Sequence, residues 1–394
     1  MRHFRLGLLC ALLSALFSIS LRGEEAGTSE RTETVFSAVI TSDLHYSARR
    51  QEAGLIVPLL PHVEEAMRAL AEEVIALQPD AFIATGDLTV SGKEEDAEAL
   101  SGIMREIHEA GIRVILTPGN HDFDSDKDSY GRNYGFLSEG DLHDPNSLSV
   151  LTRIGGVSIF AMDDCTGGSG MNAGFSASTC EWLRENLERE RASGQKILFL
   201  AHRSVLLDRA VYPESYRIAN PELPSILENA GAQLIFTGHM HNQKLLEKGI
   251  LHELISAMPW TGSYLIGRLS IEGDSILYQT EPIDFDRFGE EGLSEIAEEA
   301  AKKAAETWRE VPMSLGREKG LSEGELRKAG DLFERVISSY QDGVLPAHLE
   351  EIRENESLDL LRELIRETNY GPWFEDLLAN SGTDASSLSF QWGK

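Results

Sequence analysis

Five short apolar runs in this chain each end in residues able to hold a metal ion. Val39-Ile40-Thr41-Ser42 leads into Asp43-Leu44-His45, and Phe82-Ile83-Ala84-Thr85 into Gly86-Asp87. Val114-Ile115-Leu116-Thr117-Pro118 leads into Gly119-Asn120-His121-Asp122. Phe199-Leu200-Ala201 ends in His202, and Ile235-Phe236-Thr237 in Gly238-His239-Met240-His241. Asp-x-His and His-x-His put alternate side chains on one face of an extended segment, so each pair could grip a single ion. The donors are imidazole, carboxylate and one amide oxygen, with no thiolate. Such a set suits Mn, Fe, Zn, Co or Ni and is too rich in nitrogen for a Ca or Mg cage.

Asp43, His45, Asp87, Asn120, His121, His202, His239 and His241 are too many for one tetrahedral ion. Two ions sharing a carboxylate are therefore expected, about 3.5–4 Å apart. A pair of that kind lowers the pKa of a bridging water and binds two phosphate oxygens. It also neutralises the charge that grows during in-line displacement at phosphorus. The glycines at 86, 119 and 238 are expected to let the backbone turn sharply beside the ions or a phosphate.

The elements that must position these residues form an α/β pattern. Strands are expected over Val35–Thr41, Ala81–Thr85, Arg113–Thr117, Val157–Met162, Lys196–Ala201 and Gln233–Thr237. Between them, His62–Leu77, Glu95–Glu109 and Cys180–Arg191 carry apolar residues at three- and four-residue steps, as amphipathic helices do. All the candidate donors then fall at carboxyl ends of strands, the edge where open α/β sheets bind ligands. Further β pattern follows Leu251, through Tyr264–Ile271 and Ser275–Tyr278. From 286 onward only helices are expected: Leu293–Trp308, Ser322–Ser339, His348–Asn355 and Ser357–Thr368. This gives a sheet domain over 33–285, a helical domain over 286–380 and a loose Ser-rich tail over 381–394.

Composition narrows the partners. The 394 residues carry 36 Lys and Arg against 65 Asp and Glu, a net charge of −29. That balance argues against long nucleic acid, which needs a basic phosphate-facing surface, and against anionic membranes. A small phosphoester stays open, because bound cations reverse the field locally. Arg2, His3 and Arg5 precede an apolar run, Leu6 to Leu21, flanked by Ser18 and Ser20; residues 1–22 read as a secretory signal peptide. Export to a periplasmic or extracellular space is expected. An uncleaved segment would instead act as an N-terminal anchor, and no later segment is long and apolar enough to span a bilayer. Without the signal, Cys165 and Cys180 remain, either paired in an oxidising compartment or free.

The five motifs, in their order, resemble those of the calcineurin-like metallophosphoesterases. The resemblance implies a four-layer αββα sandwich, here followed by a smaller all-helical domain, and a centre of two divalent or trivalent ions such as Mn, Fe or Zn. Carried over, Asp43, His45, Asp87 and His241 would hold one ion; Asp87 would bridge to a second, completed by Asn120, His202 and His239. His121 would stand near the leaving oxygen as acid or charge stabiliser, oriented by Asp122. Relatives among the protein Ser/Thr phosphatases place a second Asp, and purple acid phosphatases a Tyr, where this chain has Val90. The segment Gly86-Asp87-Leu88-Thr89-x-x-Gly92 instead resembles the class III cyclic-nucleotide phosphodiesterase branch. Asp144 to Ser149, Tyr216 to Asn220 and the helical C-terminal region resemble exported bacterial members of that branch. Position 203 departs from it, being Arg where many members have a second His.

Arg203 could touch a substrate phosphate or form an ordinary surface ion pair. Trp260 could stack on a base or serve as a core aromatic. The expected activity is hydrolysis of a phosphodiester, a cyclic nucleotide foremost, by a metal-activated hydroxide. A phosphomonoester or glycerophosphodiester is the second substrate class. A non-catalytic protein that captures metal or a phosphorylated ligand is the competing reading, disfavoured by the presence of His121.

Overall fold

Side chains on the central strands alternate between two apolar layers, and this period of two builds the architecture. Strand β1 (Thr34–Thr41) sends Phe36, Ala38 and Ile40 into one core and Val39 into another. The computed structural model describes residues 34–49, 57–126, 128–166 and 173–393. The segment expected to be a signal peptide, 1–22, lies outside the described residues.

Two sheets lie at the centre. In the first, β1, β2 (Ala81–Thr85) and β3 (Arg113–Thr117) run parallel, with Val39 opposite Phe82 and Phe82 opposite Val114. Antiparallel β11 (Leu265–Glu272), β12 (Ser275–Pro282) and β13 (Ser387–Gln391) extend it, in the order β13-β12-β11-β1-β2-β3. The second sheet is built on β6 (Val157–Ala161), β7 (Lys196–Leu200), β8 (Leu234–Thr237) and β10 (Leu251–Ile255). Its edges are β4 (Leu142–His143) with β5 (Val150–Ile154), and β9 (Lys244–Lys248). The order is β4-β5-β6-β7-β8-β10-β9.

One apolar cluster fills the space between the sheets, from Ile40 and Ile83 to Ile159, Leu200 and Phe236. Helices α1 (Val63–Leu77) and α2 (Glu94–Glu109) cover the outer face of the first sheet, packing Met67, Leu70 and Met104 with Phe82 and Val114. On the second sheet, Leu183 of α4 (Ala177–Ala192) and Leu227 of α5 (Leu223–Ala230) pack with Phe160 and Phe199. A short α3 (Ser129–Tyr134) follows β3. The layers are therefore α, β, β, α, as the resemblance implied.

Beyond the sandwich, α6 (Phe285–Phe288) leads to α7 (Leu293–Glu318), α8 (Glu323–Gln341), α9 (Leu345–Arg353), α10 (Leu358–Ile365) and α11 (Tyr370–Ala379). Helix α7 runs past its expected end at Trp308. Trp308, Pro312 and Gly316 recur at four-residue steps on its buried face, so packing offsets the hydrogen bond that proline removes. Trp308 joins Phe333, Val336 and Phe374 in a core belonging to the helices themselves. Phe285, Leu293, Ala297 and Ala300 instead enter the core outside the first sheet, so the helical segment is rooted in the sandwich.

The tail differs from expectation. Residues 387–391 form β13 rather than a loose end, setting Leu388 opposite Tyr278 and Phe390 opposite Ile276. Its serines mask a Leu388-x-Phe390-x-Trp392 alternation whose apolar face joins or packs against the inter-sheet core. Cys165 and Cys180 are both free. Among the described residues, no helix is long and apolar enough to cross a membrane.

Glu73 of α1 is buried and accepts a hydrogen bond from the Asp284 backbone N–H at 3.0 Å. Burial pushes its pKa up to about 7, although that hydrogen bond opposes the shift. Below the ordinary carboxylate pKa both folded and unfolded chains hold this proton. Between there and pH 7 only the folded chain keeps it, so Glu73 costs stability increasingly as pH rises. Glu73→Gln should therefore be the more stable protein at pH 8, by on the order of 1–2 kcal/mol, with the gap closing near pH 4. Melting curves of both proteins across pH check this; a constant gap would refute it.

Candidate metal centre

The loops that leave β1 and β2 continue side by side past the end of the sheet. Asp43 N–H donates to Gly86 O at 3.0 Å, His45 N–H to Asp87 O at 2.9 Å, and Tyr46 N–H to Leu88 O at 2.9 Å. From β3 the next loop joins them: His121 N–H donates to Asp87 Oδ1 at 2.8 Å. From the second sheet, the Asp43 carboxylate accepts the His239 N–H at 2.9 Å, and Thr85 O accepts from His202 Nδ1 at 2.9 Å. That bond fixes the His202 tautomer and aims its Nε2 at the site.

Two donor groups result. Asp43, His45, Asp87 and His241 each offer a ligand atom, all within 4.8 Å of one another. Asp87, His202 and His239 do the same. Asp87 is common to both, the residue expected to bridge. His45 and His241 approach through their Nε2 atoms at 3.1 Å, and His202 Nε2 lies 3.0 Å from His239 Nδ1. Asn120 sits at the same sheet edge beside His121, and its Oδ1 accepts from Arg203 at 3.2 Å.

The backbone at these positions is strained. Asp43, His45, Asp87, His239 and His241 have positive φ, between 41° and 67°, and make up five of the seven such non-glycine residues described. Each costs on the order of 1–3 kcal/mol, which the surrounding hydrogen bonds must offset. Gly119 and Gly238 show why the loops come so close. A Cβ on Gly119 would overlap the backbone N and Oδ1 of Asp87; one on Gly238 would overlap the Ser42 hydroxyl.

Charge in the cluster is balanced by burial and by the carboxylates. Burial drives His45 down to about 4 and His239 to about 3, which leaves both as neutral donors. Burial also acts against a charged His202, but Asp87 and Asp43 override it and hold the ring up at about 10. Burial likewise acts against a charged His241, but Asp43, through charge and hydrogen bonding, and Asp87 together raise it. These carboxylates demand cationic partners. Neutral imidazoles, paired nitrogens and a shared carboxylate form a donor set that fits two transition-metal ions.

The remaining expected residues fall as follows. His121, its side chain 41% exposed, faces the cleft, and its Nδ1 lies 3.1 Å from Asp124. Asp122 does not orient it. That buried carboxylate accepts from Gly119 N, Leu88 N and Thr89 N and Oγ1, stapling the loops after β2 and β3. Trp260 is buried in the core, out of a substrate's reach, and donates to Leu44 O at 2.5 Å, bracing the Asp43-Leu44-His45 turn. Arg203 is neither a surface ion pair nor a cleft residue. It is buried, paired with Asp164 at 3.3 Å, and also donates to Ser215 O and Asn120 Oδ1. Removing one partner from such a pair costs about 3–5 kcal/mol.

Asp164, Asp124 and Tyr216 were not expected in the site. Asp164 follows β6 and also accepts the His202 N–H at 2.9 Å, so it obeys the rule of polar residues at strand ends. Asp124 comes three residues after His121, a spacing that suits a short turn. Tyr216 carried no chemical signal.

The donors open into a cleft of about 410 Å³ lined by Asp87, His121, Ser215, Tyr216, His239, Met240 and His241. A second cleft, about 560 Å³, lies in the helical segment among paired charges such as Arg362 and Glu375.

Residues 36–243, over half the chain, match the family model described as calcineurin-like phosphoesterase. The chain belongs to this family. It is 29% identical over 168 residues to a cAMP/cGMP dual specificity phosphodiesterase of Mycobacterium tuberculosis strain CDC 1551 / Oshkosh. That match covers 42% of this chain and 49% of the relative, so it spans about half of the relative's length. A dimetal phosphatase from Danio rerio shares the fold with a TM-score of 0.52 at 14% identity, over 63% of this chain and 96% of that one.

The close approach at Gly119 is directly testable. Gly119→Ala must displace the loop that carries Asn120 and His121, and with it the orientation of Asp87. The variant is expected to lower the melting temperature and to retain less than a tenth of the wild-type metal after dialysis against limiting Mn. Unchanged metal content by elemental analysis would refute the account.

Proposed function

We propose that this chain is an exported binuclear metallohydrolase that cleaves a phosphodiester, with a cyclic nucleotide as the leading substrate. The observation that carries the reading is the pair of donor groups joined at Asp87, at the floor of a cleft that also holds His121. Asp43, His45, Asp87 and His241 would hold one ion; Asp87, His202 and His239, with Asn120, would hold the other. Two bound ions would supply Lewis acidity to activate water and to neutralise charge developing at phosphorus.

The chain's own residues do the remaining work. His121 presents a partly exposed imidazole to the cleft, 3.1 Å from the Asp124 carboxylate at its Nδ1, where it can serve the leaving oxygen. Asp122 and the His121 N–H fix the loop and the Asp87 carboxylate, so the donors need no rearrangement as the reaction proceeds. Arg203, held by Asp164, steadies Asn120 rather than the substrate. The Val90 position, where Ser/Thr phosphatases and purple acid phosphatases carry Asp or Tyr, supports the phosphodiesterase side of the family. So does the named activity of the mycobacterial relative. The basic, apolar and small-residue sequence of 1–22 supports export.

Purified protein loaded with Mn is expected to hydrolyse bis(p-nitrophenyl) phosphate faster than p-nitrophenyl phosphate. Asp87→Ala, which removes a donor from both groups, should lose at least a thousandfold in kcat/KM. Equal rates for the two proteins would sink the mechanism. Preference for the monoester would move the substrate to the phosphomonoesterase class.

A further inference from the structure

Tyr216 shares the cleft with His121 and His239 and has no part in holding the donors. The residue is 39% exposed, whereas Phe199, Phe236, Tyr278 and Trp260 in the sandwich are buried. The ring leans against His239, with centroids 5.5 Å apart and planes at 57°. The ring thus touches a donor residue while remaining partly exposed at the cleft.

The backbone around Tyr216 is fixed from several sides. Arg203 Nε donates to Ser215 O at 3.0 Å, and Ser204 N–H to Tyr216 O at 3.4 Å. Ile218 N–H returns to Ser204 O at 2.9 Å, and Arg217 Nε donates to Tyr212 O at 3.2 Å. Tyr212 is itself held through its hydroxyl by Lys244 Nζ at 2.9 Å. An exposed aromatic ring on a pinned loop loses little conformational entropy when a ligand covers it. Ordinary core packing does not account for the position, since the ring is left open.

The cleft also has a direction. His121 packs against His45, 5.1 Å between ring centroids, beside the first donor group, whereas Tyr216 packs against His239 of the second. With His121 serving the leaving oxygen, the group that stays on phosphorus lies toward Tyr216. We infer that Tyr216 is a specificity-determining platform on which the nucleobase of the retained nucleoside stacks. This inference rests on the phosphodiesterase reading and assigns that site its substrate class. Met240 beside it supplies a polarizable contact suited to the same planar group.

Calorimetry on Mn-loaded protein with two probes tests the platform without turnover. Wild type is expected to bind thymidine 5′-monophosphate about tenfold more tightly than inorganic phosphate, the range of a single base–aromatic stack. Tyr216→Phe should keep that ratio, and Tyr216→Ala should bring it close to one. Retained phosphate binding by Tyr216→Ala shows that the variant is folded. Equal affinities in wild type, or an unchanged ratio in Tyr216→Ala, would overturn the platform. A Phe variant that loses as much as the Ala variant would overturn stacking in favour of the hydroxyl. Turnover of thymidine 5′-(p-nitrophenyl) phosphate on the same samples tests the hydrolytic reading separately. The binding ratio without turnover would support the platform and sink hydrolysis.

Discussion

The Asp87 carboxylate is held by one oxygen and used by the other. Oδ1 takes the backbone N–H of His121 at 2.8 Å; Oδ2 faces His202 Nε2 at 3.3 Å and His45 Nε2 at 3.8 Å. A carboxylate with one oxygen anchored cannot rotate away from both histidine groups, so its orientation sets the spacing of the two donor groups. That anchoring needs the β3 loop to pass almost in contact with residue 87, which only glycine at 119 permits. It also needs Asp87 itself at φ 48°, a conformation that bridging hydrogen bonds to the β1 loop hold in place. Strain, close approach and shared charge are thus one feature seen from three sides.

The helical segment bears on this centre through the residues just after His241. Gln243 N–H donates to Gln341 O at 2.8 Å at the end of α8, and Tyr340 Oη donates to Asn242 Oδ1 at 3.2 Å. The Gln243 side chain donates to Tyr278 Oη and Ala385 O and accepts from Ala257 N–H. Segments far apart in sequence therefore converge on two residues next to a donor loop with positive φ. Helix α8 is more than an appendage, because releasing it would free the downstream flank of His239 and His241.

Much of this was legible in the chain. Donors sit at strand ends, and strands betray themselves by apolar runs, so Asp43, His45, Asp87, His202, His239 and His241 could be found in order. Side-chain neighbours within a loop could not. Asp122 follows His121 directly, yet the short helical turn over His121–Phe123 carries it to the backbone N–H groups of another loop and leaves Asp124 to meet the imidazole. Trp260 and Arg203 were ambiguous for the same reason: their roles depend on burial, which tertiary packing decides. The β13 strand was hidden by serines that face outward, because composition averages over both faces while a strand needs only one apolar face.

The charge of the protein ties these features together. A net −29 sets up a field that repels a phosphoester, and two of its carboxylates, Asp43 and Asp87, are buried at the cleft floor. Arg203 does not supply the missing positive charge, since Asp164 already faces it at 3.3 Å. The site histidines draw the carboxylates' charge toward themselves but leave little net positive charge for an anion. Ions held by the two donor groups can reverse the local sign, so affinity for phosphate must rise and fall with metal occupancy. With ions bound, a small ester could reach them within a Debye length, whereas the remaining phosphates of a long polyanion would lie along a negative surface that disfavours them.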